Sequence, residues 1–288
     1  MNSNPVQERA IKLTLPMPYH AFDARSGSNM LHPQDVLTLD PFVAIDSYTM
    51  PYPVFGPHPH AGMSAVTLML PEADGGFTNR DSLGDQSEIR PGDLHWAQGG
   101  AGMMHEELPS EPGKAARGMQ VFVNMAKAHK HNPPAAFHVS REDMPQISRA
   151  GVDVRVIAGG FDGQYSPIGQ DPRWATRVTM LDLTLQPGAS LHIPVAAGDK
   201  AIFVIYSGEF TGADGAVRQQ SAIVFETEAG DAVVRAGQTT LRGVFFSGTP
   251  LNEPVVPGGP FIGNSIEDIA NYKRAYARGD MGSLSPSQ

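Results

Sequence analysis

The sequence predicts an all-β protein that folds as two small sandwiches or barrels. Short runs of β-branched and aromatic residues recur along the chain, as is typical of strands. These runs occupy 64–70, 118–125, 152–159, 177–185, 200–208, 221–228 and 240–248. The 31 glycines and 25 prolines are spread between the runs, where turns are needed. Many short strands with regular turns favour sandwiches or closed barrels over a helical bundle.

A weak internal echo predicts two halves. Each half contains a strand, a Pro-Gly turn and a second strand, at 89–93 and again at 185–189. The stretch 126–137 is polar and rich in proline, which is typical of a linker. We therefore predict an N-terminal domain over 1–135 and a C-terminal domain over 136–288.

One convincing helix is predicted, near the end of the chain, over 264–279. Asn264 or Ser265 can cap its first turn, and Gly279 is a typical residue to end it. Ile266, Ile269 and Tyr272, with Tyr276, recur at helical spacing, and the basic residues of this helix are expected to form a solvated face.

Composition excludes several classes of function. The chain has 288 residues, a formal net charge of -9 and no cysteine. The absence of cysteine excludes disulfides, thiolate nucleophiles and iron–sulfur clusters, so any metal must bind histidines and carboxylates. The negative charge disfavours direct binding to nucleic acid. The start of the chain does not resemble a signal peptide, and no run is long and apolar enough for a membrane span, so we expect a soluble cytoplasmic protein.

Two histidine motifs form the candidate metal site. In His58-Pro59-His60 and His105-Glu106-Glu107 the outer residues are two apart. On a strand such residues point to the same face, about 6.6 Å apart along the chain, and their side chains can converge on one ion. If the two strands are neighbours, three imidazoles and the carboxylate of Glu107 meet, and Glu106 points away. Sites of this kind with open positions suit Fe(II) oxygen chemistry.

Several segments resemble the pirin family. They are FGPHPHAG (55–62), NRDSLGD (79–85), IRPGDLHW (89–96), GAGMMHEE (100–107), GMQVFVN (118–124), VRVIAGGFDG (154–163) and PFIGNSIEDI (260–269). They occur in the family's order and cover most of the chain. The resemblance implies two cupin barrels (double-stranded β-helices, or jelly rolls) packed together, with a short C-terminal helix. It also implies one metal ion in the first barrel, bound by His58, His60, His105 and Glu107, and a second barrel without metal.

Two functions follow from the resemblance and remain open at this point. The first is a quercetin 2,3-dioxygenase-type reaction, in which a flavonol-like aromatic substrate and O2 react at the metal and Glu107 takes the substrate's proton. The second is a metal-dependent regulator without catalysis, which acts through a protein partner. The expected metal is Fe(II), although Mn, Ni, Co, Cu and Zn suit the same donors.

One segment departs from the family's pattern, and several other residues are set aside. Pirins commonly have Arg, Phe and Glu where this chain has Ala61, Met63 and Ser64, which puts the substrate more than the metal in doubt. His95 is expected to line the pocket. Histidines set aside as loop or barrel-rim residues are His129, His131, His138 and His192. Trp96 and Phe55 are expected in the barrel core.

Overall fold

The computed structural model describes residues 7–31, 33–212 and 215–285. The first six residues, which were part of the expectation about a signal peptide, lie outside this range. Within the described residues, no helix is long and apolar enough to cross a membrane. The chain divides into two compact units. The first unit contains Tyr19–Glu142, Asp171–Thr176 and the segment from Leu251 onward; the second contains the residues up to Pro18, Asp143–Gln170 and Arg177–Pro250.

Strands dominate the secondary structure. The strands of the first half are β1 (Ile11–Pro16), β2 (Tyr19–Ala21), β3 (Gly27–Met30), β4 (Phe42–Met50), β5 (His58–His60), β6 (Met63–Met69), β7 (Phe77–Asp81), β8 (Glu88–Ile89), β9 (Leu94–Gln98), β10 (Met103–Pro109), β11 (Ala116–Asn124) and β12 (Ala135–Val139). Those of the second half are β13 (Gln146–Arg149), β14 (Val152–Ala158), β15 (Gly160–Phe161), β16 (Gln164–Tyr165), β17 (Val178–Leu185), β18 (Ser190–Val195), β19 (Lys200–Ser207), β20 (Glu209–Gly212), β21 (Gly215–Arg218), β22 (Ser221–Phe225), β23 (Gly230–Arg235), β24 (Leu241–Gly248), β25 (Val256–Pro257) and β26 (Ile262–Gly263).

Helices are few and short. The α-helices are α1 (Pro33–Val36) and α2 (Ile266–Arg278), and 3-10 turns occupy Leu37–Leu39, Lys127–His129, Arg141–Asp143 and Pro167–Gln170. The seven strands predicted from the sequence and the C-terminal helix are confirmed. Ser265 caps α2 by accepting a hydrogen bond from the backbone N–H of Asp268, and Gly279 ends it in the left-handed region at φ 80°.

The first unit contains two main antiparallel sheets, besides the short pair of β25 and β26. A seven-stranded sheet has the order β12-β9-β6-β11-β4-β3-β2, and a four-stranded sheet has the order β5-β10-β7-β8. Ala135–Val139 therefore belongs to a sheet, where β12 pairs with β9. The interpretation of 126–137 as a linker was wrong for residues 135–137. The polar, proline-rich residues around them indicated a linker, but residues 135–137 begin a strand whose apolar side chains, such as Phe137, are buried.

The second unit is built on a seven-stranded antiparallel sheet of order β1-β22-β19-β24-β17-β14-β13, with β18 and β23 paired separately. Leu181, Leu183 and Leu185 point into its apolar core. Asp182, on the other face, is also buried. It accepts hydrogen bonds from Arg155 Nη2 at 2.7 Å and from the Tyr206 hydroxyl at 2.9 Å, which compensate for its lost hydration.

The units are not contiguous in sequence, because the N-terminal strand β1 joins the second unit and the C-terminal segment joins the first. The division of the chain into domains at residue 135 stays a prediction. The findings of many short antiparallel strands and one C-terminal helix agree with the predicted all-β class.

The C-terminal segment is held on the first unit by Lys130. This lysine is only 1% exposed, and its Nζ donates to the carbonyl oxygens of Gly62 and Ile262 at 2.6 and 3.1 Å and to Oδ1 of Asn124 at 2.6 Å. Gly62 has a positive φ of 74°, and a Cβ there would overlap the carbonyl oxygen of Ile262. The segment therefore passes directly beside the end of β5.

Candidate metal centre

Two neighbouring strands bring three histidines together. Strand β10 pairs with β5 in antiparallel register, with His105 opposite His58 and Met103 opposite His60. The ring nitrogens that His58, His60 and His105 can offer all lie within 4.8 Å of one another. Nε2 of His58 is 3.1 Å from Nε2 of His105. We call these three residues the histidine cluster.

Burial keeps the histidine cluster neutral. His60 and His105 are 4% and 2% exposed. Loss of hydration lowers the pKa of His60 to about 3, and it lowers the pKa of His105 well below the usual value of histidine. The pKa of His58 is also lowered by burial. A neutral imidazole is the form that binds a metal ion.

The tautomer of His58 suits a ligand. Its Nδ1 lies 2.9 Å from the carbonyl oxygen of Gly56. A carbonyl oxygen only accepts, so Nδ1 donates and Nε2 keeps a lone pair that faces the cluster. A hydrogen bond of this kind, donated by the ring nitrogen that does not bind the ion, is typical of metal-binding histidines.

Glu107 lies beside the histidine cluster and faces the same cavity. Its Oε2 accepts a hydrogen bond of 2.7 Å from Thr67 Oγ1, and its Oε1 is buried without a partner. Burial raises the pKa of Glu107 to about 7. The group of residues whose ligand atoms lie within 4.8 Å of one another includes the three histidines and not Glu107. The structure thus brings together three of the four predicted ligands and sets the carboxylate nearby.

Glu106 occupies the opposite side of β10. Its carboxylate pairs with the guanidinium of Arg80, with Nε of Arg80 3.0 Å from Oε2, and its side chain is 3% exposed. Arg80 is its neighbour across the β7–β10 pair, as Asn79 is the neighbour of Glu107. Because side chains alternate along the strand, Glu107 points into the cavity, whereas Glu106 points to the other side and forms an ion pair.

The donor set fits a divalent metal ion. Three neutral imidazoles at this spacing are a common ligand set for first-row metals. The free Oε1 of Glu107 lies in the same cavity and adds a fourth donor, which is an oxygen. This oxygen is buried without a hydrogen-bond partner, which is costly, so the cavity beside the histidine cluster is a candidate site for a bound group.

A cavity of about 320 Å³ opens over the histidine cluster. The residues that line it are Phe22, Ser28, Met30, Asp46, Tyr48, Met50, Phe55, His58, His60, His105, Glu107, Gln120, Phe122, Gly259 and Pro260. Phe22 and Phe55 are 41% and 48% exposed, so the cavity reaches the surface at these two side chains. Its volume lies within the range of small-molecule sites.

Several residues singled out in the sequence lie elsewhere. The prediction that Phe55 belongs to the core was wrong, because it stands at the cavity mouth with its ring 5.4 Å from that of Phe22. Trp96 is in the core, edge-on to Trp174 at 5.4 Å. The prediction that His95 lines the cavity was wrong, because His95 is not among the lining residues. It is buried, and its ring lies 6.0 Å from the ring of His138.

The remaining histidines and the positions that depart from the family's pattern are also outside the cavity lining. His131 is exposed, and His192 is exposed and lies 3.5 Å from Asp231. Ala61, Met63 and Ser64 are buried in packing. Ala61 contacts Phe261 of the C-terminal segment. A longer side chain at position 61 would extend into the space next to Phe261.

Sequence reasoning missed the polar residues on the far strands of the cavity. Asp46 and Ser28 face it from β4 and β3, and Pro260 faces it from the C-terminal segment. Only the alternation along β4 could have indicated that Asp46 points inward with Tyr48, since no motif marks it.

Comparisons with known proteins agree over both halves of the chain. The sequence model described as "Pirin" matches residues 25–123, and the one described as "Pirin C-terminal cupin domain" matches 180–282. A pirin-like protein of Solanum lycopersicum is 32% identical over 252 residues, which cover 86% of this chain and 84% of the relative. Human pirin is 32% identical over 244 residues, covering 82% and 81% of the two chains.

A solved structure shares the fold over nearly the whole length. The crystal structure of a quercetin 2,3-dioxygenase from Acinetobacter baumannii superposes with a TM-score of 0.85 and 25% identity. The match covers 97% of this chain and 100% of that one. The architecture is therefore that of two cupin domains with a short C-terminal helix.

Proposed function

Because the chain belongs to the pirin family, we propose that it is an Fe(II)-dependent dioxygenase that opens the ring of a flavonol. One observation carries this proposal: the histidine cluster forms one side of a largely apolar cavity that is large enough for a small aromatic molecule and reaches the surface. A protein that acted only through its outer surface would have no need of such a cavity. The likeness to a quercetin 2,3-dioxygenase supports the same reaction type.

His58, His60, His105 and Glu107 would hold the ion. Three neutral nitrogens and one carboxylate leave positions open to substrate and O2, and the carboxylate offsets part of the ion's charge. When bound, Fe(II) supplies Lewis-acid activation of the flavonol hydroxyl and one-electron chemistry toward O2.

Glu107 is the proposed base. Its Oε1 faces the cavity without a partner, and Thr67 fixes the other oxygen. A carboxylate in this position can take the proton of the flavonol hydroxyl as that oxygen approaches the cluster. Burial raises its pKa to about 7, which makes it a stronger base than an exposed glutamate.

The apolar walls orient the rings. Phe122 packs edge-on to His60, with ring centroids 5.4 Å apart, and Phe55 and Phe22 stand at the mouth. Aromatic rings placed at the cluster and at the mouth suit a flat aromatic substrate and exclude water around its reacting end.

The test is oxygen uptake with a flavonol panel. Under anaerobic conditions, metal-free protein is loaded with one of six ions: Fe(II), Mn(II), Ni(II), Co(II), Cu(II) or Zn(II). Each form is then mixed with flavonols and O2. We expect Fe(II) to support O2 consumption matched by loss of the flavonol absorbance. A protein that binds one Fe(II) per chain and consumes no O2 with any flavonol would overturn the enzymatic function.

A further inference from the structure

Two polar atoms on one wall of the cavity have no hydrogen-bond partner. They are Oδ1 of Asp46 and Oγ of Ser28. Both residues line the cavity, and both atoms are shielded from bulk solvent. An unpaired buried polar atom destabilises the protein, so a pair of them on a cavity wall favours the binding of a ligand that satisfies both.

Strand pairing brings the two side chains together. Strands β3 and β4 are antiparallel neighbours, with Met30 opposite Asp46 and Ser28 opposite Tyr48. Ser28 and Asp46 are therefore diagonal neighbours on one face, with side chains about 7 Å apart or less. That face is the cavity side, since Met30 and Tyr48 also line the cavity.

Neighbouring polar groups already have other partners. Gln120, opposite Asp46 on β11, donates from Nε2 to the carbonyl oxygen of Val66 at 3.1 Å. The hydroxyl of Tyr48 points to Sδ of Met69 at 3.3 Å. Asp46 and Ser28 thus face a space otherwise lined by apolar groups on their strands.

The chemistry of the pair matches a hydroxyl group. An ionised carboxylate only accepts hydrogen bonds, whereas a serine hydroxyl can donate one. A phenolic hydroxyl can donate to Asp46 and accept from Ser28 at the same time. Neither residue belongs to the histidine cluster on β5 and β10.

We propose that Asp46 and Ser28 form a hydroxyl subsite, which selects aromatic substrates that carry a further hydroxyl besides the one that meets the metal. The choice of flavonols as ligands rests on the proposed function. The subsite itself rests on the cavity and its unpaired atoms. Asp46 is thus a specificity-determining residue, and the preferred substrate class is a polyhydroxylated flavonol rather than a bare one.

The experiment is a binding titration under nitrogen with the metal-loaded protein, in which no turnover takes place. The probes are 3-hydroxyflavone, galangin, kaempferol and quercetin, which share the metal-binding hydroxyl and keto groups and differ in their further hydroxyls. The variants are Asp46→Leu, Asp46→Asn and Ser28→Ala. Ser47→Ala is the matched control, since Ser47 is adjacent to Asp46 on the opposite face of β4. Metal content and the near-ultraviolet circular dichroism of each variant report whether the site has kept its structure.

We expect the wild-type protein to bind the best hydroxylated flavonol about tenfold or more tightly than 3-hydroxyflavone, equivalent to about 1.4 kcal/mol. Asp46→Leu should bring this ratio close to one without weakening 3-hydroxyflavone, and Ser47→Ala should leave it unchanged. A wild-type ratio near one, a ratio that survives Asp46→Leu and Asp46→Asn, or no binding of any flavonol would overturn the subsite. A ratio that depends on Asp46 in a protein that consumes no O2 would uphold the subsite and reject the dioxygenase function.

Discussion

Glu107 accepts a hydrogen bond of 2.7 Å from the hydroxyl of Thr67 through Oε2, while its other oxygen, Oε1, is buried without a partner. The two oxygens of the carboxylate are thus unequal. Thr67 holds one in place, and the other is left to bind a proton or an ion at the histidine cluster. Oε1 is therefore the atom through which Glu107 can act both as a ligand and as a base.

Replacing Glu107 by glutamine should lower flavonol turnover far more than metal content. Glutamine keeps the shape and one carbonyl oxygen, and the three imidazoles retain the ion. An amide cannot take a proton, so the rate should fall on the order of 100-fold or more. Bound metal and O2 uptake, measured on the same samples, check this expectation.

Glu106→Gln is the matched control. Glu106 pairs with Arg80 on the other side of β10, so its loss should reduce thermal stability and leave turnover per bound metal near the wild-type value. If Glu106→Gln is the change that abolishes turnover, the assignment of Glu107 as the base is wrong.

Thr67→Val should shift the pH dependence of turnover to higher pH. The hydrogen bond from Thr67 lowers the pKa of Glu107, so its removal raises that pKa. A base works in its ionised form, and the rise of rate with pH follows its pKa. The measurement is the pH profile of kcat/KM, with Thr49→Val, on the face of β4 away from the cavity, as the control. A profile that stays in place would show that Glu107 does not limit the rate.

Asp46→Asn should stabilise the protein more at pH 8 than at pH 5. Burial raises the pKa of Asp46 to about 7, whereas an exposed aspartate titrates near 3.8. Between these values the folded state binds more protons than the unfolded state, so the contribution of Asp46 to stability falls as pH rises through this window. Asparagine does not titrate. Because Asp46 is partly exposed to the cavity, the difference is on the order of 1 kcal/mol, the cost of an unpaired polar group.

Melting temperatures of the wild-type protein and of Asp46→Asn at pH 5 and pH 8 measure this difference. Ser47→Ala serves again as the control. An equal effect of Asp46→Asn at pH 5 and pH 8 would mean that Asp46 has an ordinary pKa in the folded protein.

Lys130→Met should destabilise the first unit by about 1–3 kcal/mol, because it leaves the carbonyl oxygens of Gly62 and Ile262 and Oδ1 of Asn124 without their donor. Exposed Lys127 is the control, since Lys127→Met removes a nearby charge from the surface only. Hydrogen exchange should increase in the C-terminal segment of Lys130→Met. An unchanged melting temperature would show that Lys130 does not hold this segment.

The sequence predicted the local parts of the fold and site well, because strand alternation and helix capping depend on neighbouring residues. The inward direction of His58, His60, His105 and Glu107 is such a case, since each pair lies on one strand. The ends of α2, fixed by Ser265 and Gly279, are another.

Features that depend on distant segments could not be predicted in this way. Asp46 and Ser28 meet only through the register of β3 and β4. Pro260 reaches the cavity because the C-terminal segment folds onto the first unit. Lys130 is buried although the composition of its stretch is typical of an exposed linker. Two of its partners, the carbonyl oxygens of Gly62 and Ile262, come from distant parts of the chain.

We infer that one metal ion binds at the histidine cluster. The chain offers a matched control, a second His-x-His pair at His129 and His131, which is outside the cavity lining. The most direct measurement is metal per chain by elemental analysis after reloading with Fe(II), for three proteins: the wild type, His58→Ala/His60→Ala and His129→Ala/His131→Ala. We predict about one ion per chain in the wild type and in the second double variant, and none in the first. Metal that persists in His58→Ala/His60→Ala, or disappears from His129→Ala/His131→Ala, would contradict the account.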